Sequence, residues 1–231
     1  MTELLISVRS LTEFNIVDQA GIRFIDVKEP ARGSLGPAAV DALDAIANAA
    51  KPQHKISAAL GELLDDHSLE AEELPTRIDF AKVGLAGCLD VKDWRQRLQK
   101  KYQALPPHIQ SVAVAYVDWQ VARSPRIEHV YEAGIELGCS AFLIDTFQKG
   151  SGNLLSYLCE SEIRQWIERG QRANKIMVVA GSLDQPAIHK LQPLNPNVIA
   201  VRSAACRGDR TEHIDSESVL KLADIGSSQT V

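Results

Sequence analysis

Along the chain, short runs of β-branched and apolar residues alternate with longer segments whose apolar positions recur every three to four residues. The first kind suits strands buried on both faces, the second amphipathic helices, and their regular alternation marks parallel βαβ units. Strands are predicted over Leu4–Val8, Phe24–Lys28, Lys55–Leu60, Phe80–Leu85, Ser111–Val117, Ala141–Thr146, Ile176–Ala180 and Val198–Val201. A helix follows each: Glu13–Ala20, Pro37–Ala50, Leu69–Arg77, Val91–Leu105, Ile127–Leu137, Ser156–Ala173, Gln185–Leu191 and Ser216–Ala223. Pro37 suits a first helical turn, Asp184 an N-cap and Gly138 a stop, whereas Pro75 interrupts the third segment. Eight such units in 231 residues predict a single domain over 1–231, a closed (β/α)8 barrel near the small end of its size range. A doubly wound open sheet is the structural rival, but the first turn lacks a G-x-G-x-x-G fingerprint.

In such a barrel the chemistry sits at the C-terminal ends of the strands. The two-residue period of a strand turns Asp26 and Lys28 inward from the second strand and Lys82 inward from the fourth. Asp145 ends the sixth strand, and Lys149 follows in a glycine-rich loop. Lysines inside apolar strands are costly unless paired or reactive, which makes Lys28 and Lys82 functional candidates; Lys149 taken alone suits a surface residue equally well. A neighbouring cation and partial burial both lower an amine's pKa and free it as a nucleophile, as a Schiff base with a carbonyl requires. Asp26 and Asp145 would orient the lysines or carry protons, with a structural ion pair nearly as good an account of each.

The seventh strand ends in Gly181 and Ser182, and the eighth runs into Arg202 and Ser203. Small residues there let backbone N–H groups approach a phosphate, and Arg202 would add a charged fork unless it faces outward. The loop Gly33-Ser34-Leu35-Gly36 is a second phosphate cradle or, more simply, a turn.

Composition narrows the partner. The chain is 45% hydrophobic and 24% charged, ordinary for a globular protein, and its net charge of -5 disfavours nucleic acid and acidic membranes. A small molecule remains, and the strand ends above point to a phosphorylated one. The N-terminal MTELLISVRS has no secretory pattern and no apolar run is long enough to span a bilayer, so a cytoplasmic enzyme is expected. Cys88, Cys139, Cys159 and Cys206 lie far apart and read as free thiols, and neither they nor His54, His129 and His189 have metal-ligand spacing. A homo-oligomer paired through outer helices is possible for this fold; Trp94, Trp119 and Trp166 are candidate interface residues, although ordinary packing suits them better.

The strings IDVKEPARGSLG (25–36), KVGLAG (82–87), IDT followed by Lys149, VAGS (179–182) and VRSAAC (201–206) together resemble the (5-formylfuran-3-yl)methyl phosphate synthases, which make the furan precursor of methanofuran-type cofactors. The resemblance runs over nearly the whole chain in order. It implies that two molecules of glyceraldehyde 3-phosphate, one first isomerised to the ketose, condense with loss of phosphate and water. It further implies Lys28 as the Schiff-base lysine and Lys82 as proton acceptor, with Asp26, Asp145 and Lys149 assisting proton transfer or holding phosphate. No metal or organic cofactor is implied, because the imine is the electron sink. Two departures touch the phosphate end: Ser203 stands where glycine is expected, and the loop Cys206-Arg207-Gly208-Asp209 is one glycine short. An aldolase-like barrel acting on another sugar phosphate and a catalytically silent sugar-phosphate-binding barrel are the rival functions.

Overall fold

The computed structural model of the protein describes residues 2–227, with side chains through 224. Strands β1 (Glu3–Val8), β2 (Phe24–Val27), β3 (Lys55–Glu62), β4 (Phe80–Gly84), β5 (Gln110–Tyr116), β6 (Ala141–Asp145), β7 (Ile176–Val179) and β8 (Val198–Val201) pair in sequence order and close into one barrel. Every pairing is parallel, and Leu5 of β1 lies opposite both Phe24 of β2 and Ala200 of β8. The predicted closed barrel is what forms.

Helices α1 (Leu11–Gln19), α2 (Val40–Ala49), α3 (Trp94–Gln103), α4 (Trp119–Ala122), α5 (Ile127–Glu136), α6 (Glu160–Arg172), α7 (Gln185–Leu191) and α8 (Ser216–Ser227) join the strands. The Asp184 carboxylate accepts the Ala187 N–H at 2.9 Å and caps α7, while Gly138 takes φ +70 just past α5, both as the sequence predicts. Three segments differ. No α-helix forms over Leu69–Arg77; a single 3-10 turn, Ala71–Glu73, stands there, because Pro75 supplies no N–H for a continuing ladder. Leu69, Ala71 and Leu74 bury themselves against the barrel all the same. Pro37 precedes its helix rather than opening it, since α2 begins at Val40 after the extended Ala39. The unexpected α4 occupies the loop after β5 and stops at Arg123, which adopts φ +48.

Alternation along each strand sends side chains to two separate cores. One lies between barrel and helices and includes Ile25, Val27, Ile56, Ala81, Val83 and Ile144. The other fills the barrel itself with Val112, Val114, Tyr116, Ala141, Leu143 and Ala180, closed from above by Leu35. The 33–36 segment is therefore a turn that plugs the barrel mouth: Ser34 and Leu35 are buried, and a Cβ on Gly36 would overlap Arg32 and the Glu29 carbonyl. Trp94 is buried, and Trp119 and Trp166 are half-buried, so ordinary packing accounts for these side chains. Cys88, Cys139 and Cys206 are buried free thiols and Cys159 an exposed one.

Candidate active site

Polar side chains replace apolar ones in the upper barrel interior. Asp26 is the hub: its Oδ1 lies 2.7 Å from Lys82 Nζ and accepts from Ser57 Oγ at 2.6 Å, and its Oδ2 accepts from Ser7 Oγ at 3.0 Å. Register makes the meeting possible, because Ser7 and Ser57 lie opposite Asp26 on the two flanking strands. Burial by itself would raise the Asp26 pKa, but the charges of Lys82 and Lys28 and these hydrogen bonds hold it below the ordinary value.

Lys28 follows β2 and is almost wholly enclosed, at 8% exposure, with its ammonium donating to the Ser34 carbonyl at 3.2 Å. Its pKa falls from 10.5 to about 7. Burial is the main cause; Asp26 and Asp145 oppose it, and Lys149 and then Lys82 add to it. The expected effect of neighbouring lysines is thus present but ranks behind desolvation, which dominates.

Asp145 ends β6 and takes the Thr146 N–H at 2.7 Å and Lys149 Nζ at 2.8 Å on one oxygen. Lys149, which donates also to the Thr146 carbonyl, is no surface residue but part of this group. The Lys149 and Lys28 charges keep Asp145 ionised below its ordinary pKa, against the upward push of burial. Asp118, unremarked in the sequence, is buried and fastens the same loop: its two oxygens accept the N–H groups of Phe147 and Gln148 at 2.7 and 2.8 Å.

A cleft of about 870 Å³, counting its open mouth, joins these groups and is lined by Lys28, Lys82, Asp26, Asp145 and Lys149 together with Gly181, Ser182, Ser203 and Arg210. Its converging charged and polar groups suit a small polar ligand. Gly181 at φ +109 presses on Thr146, where a Cβ would meet Cγ2 at 2.9 Å, and Ser182 keeps φ +50 although it is not glycine. Arg202 is a correction to the phosphate fork expected above. Its Nη1 donates to the Ser7 carbonyl and Glu13 Oε2, each at 2.8 Å, its Nη2 to Glu13 Oε1 and the Glu212 carbonyl, and its Nε to the Arg210 carbonyl. Every guanidinium N–H is engaged, so Arg202 is a structural clamp although its side chain reaches the cleft wall. Arg210 stands where a free donor is wanted: half-buried, it donates to the Pro30 and Gly33 carbonyls at 2.9 Å from different nitrogens and retains further N–H groups. No local pattern in the sequence marks it, since it reaches the cleft from a loop nine residues beyond the end of β8. The shortened loop closes on itself, with Asp209 accepting from the Thr211 N–H and hydroxyl.

The comparisons with known proteins converge on one family. Residues 4–223 match the model of 4-HFC-P synthase. The chain belongs to the 4-HFC-P synthase family. Among curated relatives, the (5-formylfuran-3-yl)methyl phosphate synthase of Archaeoglobus fulgidus is 28% identical over 96% of this chain and 98% of its own length. That of Methanopyrus kandleri is 27% identical over 89% and 91%. Among solved structures, the phosphoribosyl anthranilate isomerase of Thermotoga maritima superposes with a TM-score of 0.65 over 99% of this chain and all of its own, at 12% identity. The 3-hexulose-6-phosphate synthase of Salmonella typhimurium gives 0.61 over 97% and 100%, at 17% identity. At those identities the two structures speak for the (β/α)8 barrel alone, and the 4-HFC-P synthase family rests on the sequence match. Among the described residues, no helix is long and apolar enough to cross a membrane and no His, Cys, Asp and Glu cluster is arranged to hold a metal ion.

Proposed function

We propose that this member of the 4-HFC-P synthase family condenses two molecules of glyceraldehyde 3-phosphate to (5-formylfuran-3-yl)methyl phosphate, the furan precursor of a methanofuran-type cofactor, through a Schiff base on Lys28. The observation that carries the proposal is the buried amine of Lys28, with a pKa near 7, set between the Asp26–Lys82 and Asp145–Lys149 pairs in one cleft. An amine half unprotonated at neutral pH attacks a carbonyl without needing a separate base.

One triose phosphate isomerises to the ketose and loses its carbonyl oxygen as water when the Lys28 imine forms. Lys82, after passing an ammonium proton to Asp26, takes the C2 proton of the second glyceraldehyde 3-phosphate, whose phosphate leaves from C3 to give an enol with a nucleophilic terminal carbon. That carbon adds to the imine carbon of the ketose, the imine nitrogen taking up the electron pair, and the new bond gives the branched skeleton the furan requires. The ketose hydroxyl closes the ring on the neighbouring carbonyl, and expulsion of the Lys28 amine and of water aromatises it, so that one phosphate and two molecules of water leave across the reaction. Asp26 holds Lys82 in place, while Lys149, charged beside Asp145, protonates departing oxygens. The backbone at Gly181 and Ser182, the Ser203 hydroxyl and Arg210, at the ends of the last two strands and the loop beyond, hold the phosphates.

Borohydride reduction during turnover of glyceraldehyde 3-phosphate should add substrate mass to the peptide carrying Lys28. No adduct, with Lys28→Ala still active, overturns the proposal. Mass spectrometry of the product separates furan formation from a simple aldol, which retains both phosphates.

A further inference from the structure

A second buried acid–phenol pair sits behind the cleft and takes no part in the chemistry above. Glu62, at the end of β3, accepts the Tyr116 hydroxyl at 2.7 Å on Oε1 and the Ala86 N–H at 2.8 Å on Oε2. The chain is shaped to put it there. Register between β3 and β4 shifts between Ala59 and Glu62, and Gly61 takes φ +102, which turns Glu62 towards β4. Glu62 then lies opposite Gly84, where any Cβ would overlap its carboxyl group. Packing alone does not call for a carboxylic acid here: an apolar residue would fill the space without desolvating a charge.

Tyr116 faces the barrel interior at the top of β5, fully buried, opposite Asp145. Burial, and next to it Glu62, pushes its pKa well above 10, so the phenol keeps its proton and donates it to Glu62. Leu35, beside Ser34 in the same turn, shares the barrel-interior cluster with Tyr116, and the Ser34 hydroxyl lies 3.4 Å from Asp145 Oδ2 and 3.2 Å from the Thr146 carbonyl. The Ser34 carbonyl is the acceptor for Lys28 Nζ. Ser34 thus touches Lys28 through its backbone and Asp145 through its side chain, while its neighbour Leu35 is buried in one cluster with Tyr116.

We infer that Tyr116 and Glu62 are positioning residues that hold the Ser34 turn over the barrel mouth and, through it, keep the Lys28 amine enclosed and aligned with Asp145. The pair is chemically suited to that task. A hydrogen bond to a carboxylate fixes the phenol more firmly than one to water, and the Ala86 N–H fixes the carboxylate in turn. Loosening the turn admits water to Lys28, whose lowered pKa depends on burial above all.

The inference rests on the Schiff-base reading of Lys28, and its first test does not use substrate. Tyr116→Phe and Glu62→Gln are each labelled with acetic anhydride across a pH series, and modification of the Lys28 peptide is compared with that of exposed lysines. In the wild type the Lys28 profile should rise through about pH 7. In both variants its midpoint should move up by about one unit, which is roughly tenfold less free amine on the rising limb. With triose phosphate, kcat should fall about tenfold or more while KM stays within about twofold. Should Tyr116→Phe not fold, Glu62→Gln, which keeps the shape of the side chain, carries the comparison. Folded variants with lowered Tm but unmoved midpoint and kcat overturn the inference. A shifted midpoint in a protein whose wild type turns over no triose phosphate upholds the positioning role and overturns the synthase reading instead.

Discussion

Lys82 Nζ and Asp26 Oδ1 meet 2.7 Å apart at the centre of the barrel, both less than a tenth exposed. Two elements that have no contact in sequence thereby place a cation and an anion where neither is stable alone. Removing one partner should cost about 3–5 kcal/mol of stability, because the survivor is left buried without its counter-charge. Asp26→Asn and Lys82→Met should each show that loss in urea denaturation. The double variant should recover much of the stability and none of the activity, which separates the pair's structural role from its catalytic one.

Lys28 opposes folding. Its pKa in the folded state lies below that in the unfolded chain, so between about pH 7 and 10.5 the unfolded state binds more protons and stability rises with pH. The penalty is complete below about pH 7, where the buried amine must carry its charge. Lys28→Met should therefore raise Tm while abolishing activity, with a larger gain at about pH 6 than at about pH 9. A lower Tm at both pH values would mean that the hydrogen bond to the Ser34 carbonyl outweighs desolvation.

The same shift sets the rate profile of the proposed reaction. Imine formation needs the free amine, so kcat/KM should climb about tenfold per unit at low pH and level off above about 7. An acid limb with its midpoint near the ordinary lysine value would show that Lys28 is solvated during catalysis.

Two arginines near the cleft should part company on substitution. Glu13 is buried; burial pushes its carboxyl up, and the hydrogen bond and charge of Arg202 outweigh that and hold it below the ordinary 4.5. The pair's contribution is complete above about pH 4.5 and is lost as pH falls through the lower folded value. Glu13→Gln should destabilise the protein by about 3 kcal/mol at neutral pH, with the gap to wild type narrowing below about pH 4.5. Arg210→Met should leave Tm near wild type and raise KM for triose phosphate about tenfold or more. An unchanged KM would remove Arg210 from the phosphate site.

Asp118→Asn keeps the shape of the side chain but provides one oxygen where Phe147 and Gln148 present two N–H groups. The loop bearing Lys149 should loosen, with kcat falling about tenfold and faster hydrogen exchange at those two amides. Unchanged exchange would show that the Asp145–Lys149 contact holds the loop without help.

How much of this was legible beforehand differs from residue to residue. Asp26, Lys28 and Lys82 were found because a strand's period is a local rule that assigns each side chain to one face, whatever the rest of the chain does. Their mutual contact followed only in outline: that lysine and aspartate share a barrel mouth can be read, but that Asp26 also gathers Ser7 and Ser57 depends on register between strands. Pro75 should have weighed more against the third helix, since its missing N–H is a local property too. The burial of Lys149 was undecidable in the sequence, because a lysine in a glycine-rich loop looks the same whether its ammonium meets water or Asp145.

Local periodicity, then, determined the eight strands, their inward faces and the charged set around Lys28, because strand alternation acts over a few residues. Tertiary structure alone decided which arginine is free. Arg202 meets Glu13 from the far side of the barrel seam, and Arg210 crosses to the carbonyls of Pro30 and Gly33, contacts between segments about two hundred residues apart in sequence. It also decided why the Lys28 pKa falls: enclosure by Leu35, Ser34 and the walls of the cleft, a property of the closed barrel that no short stretch of chain contains.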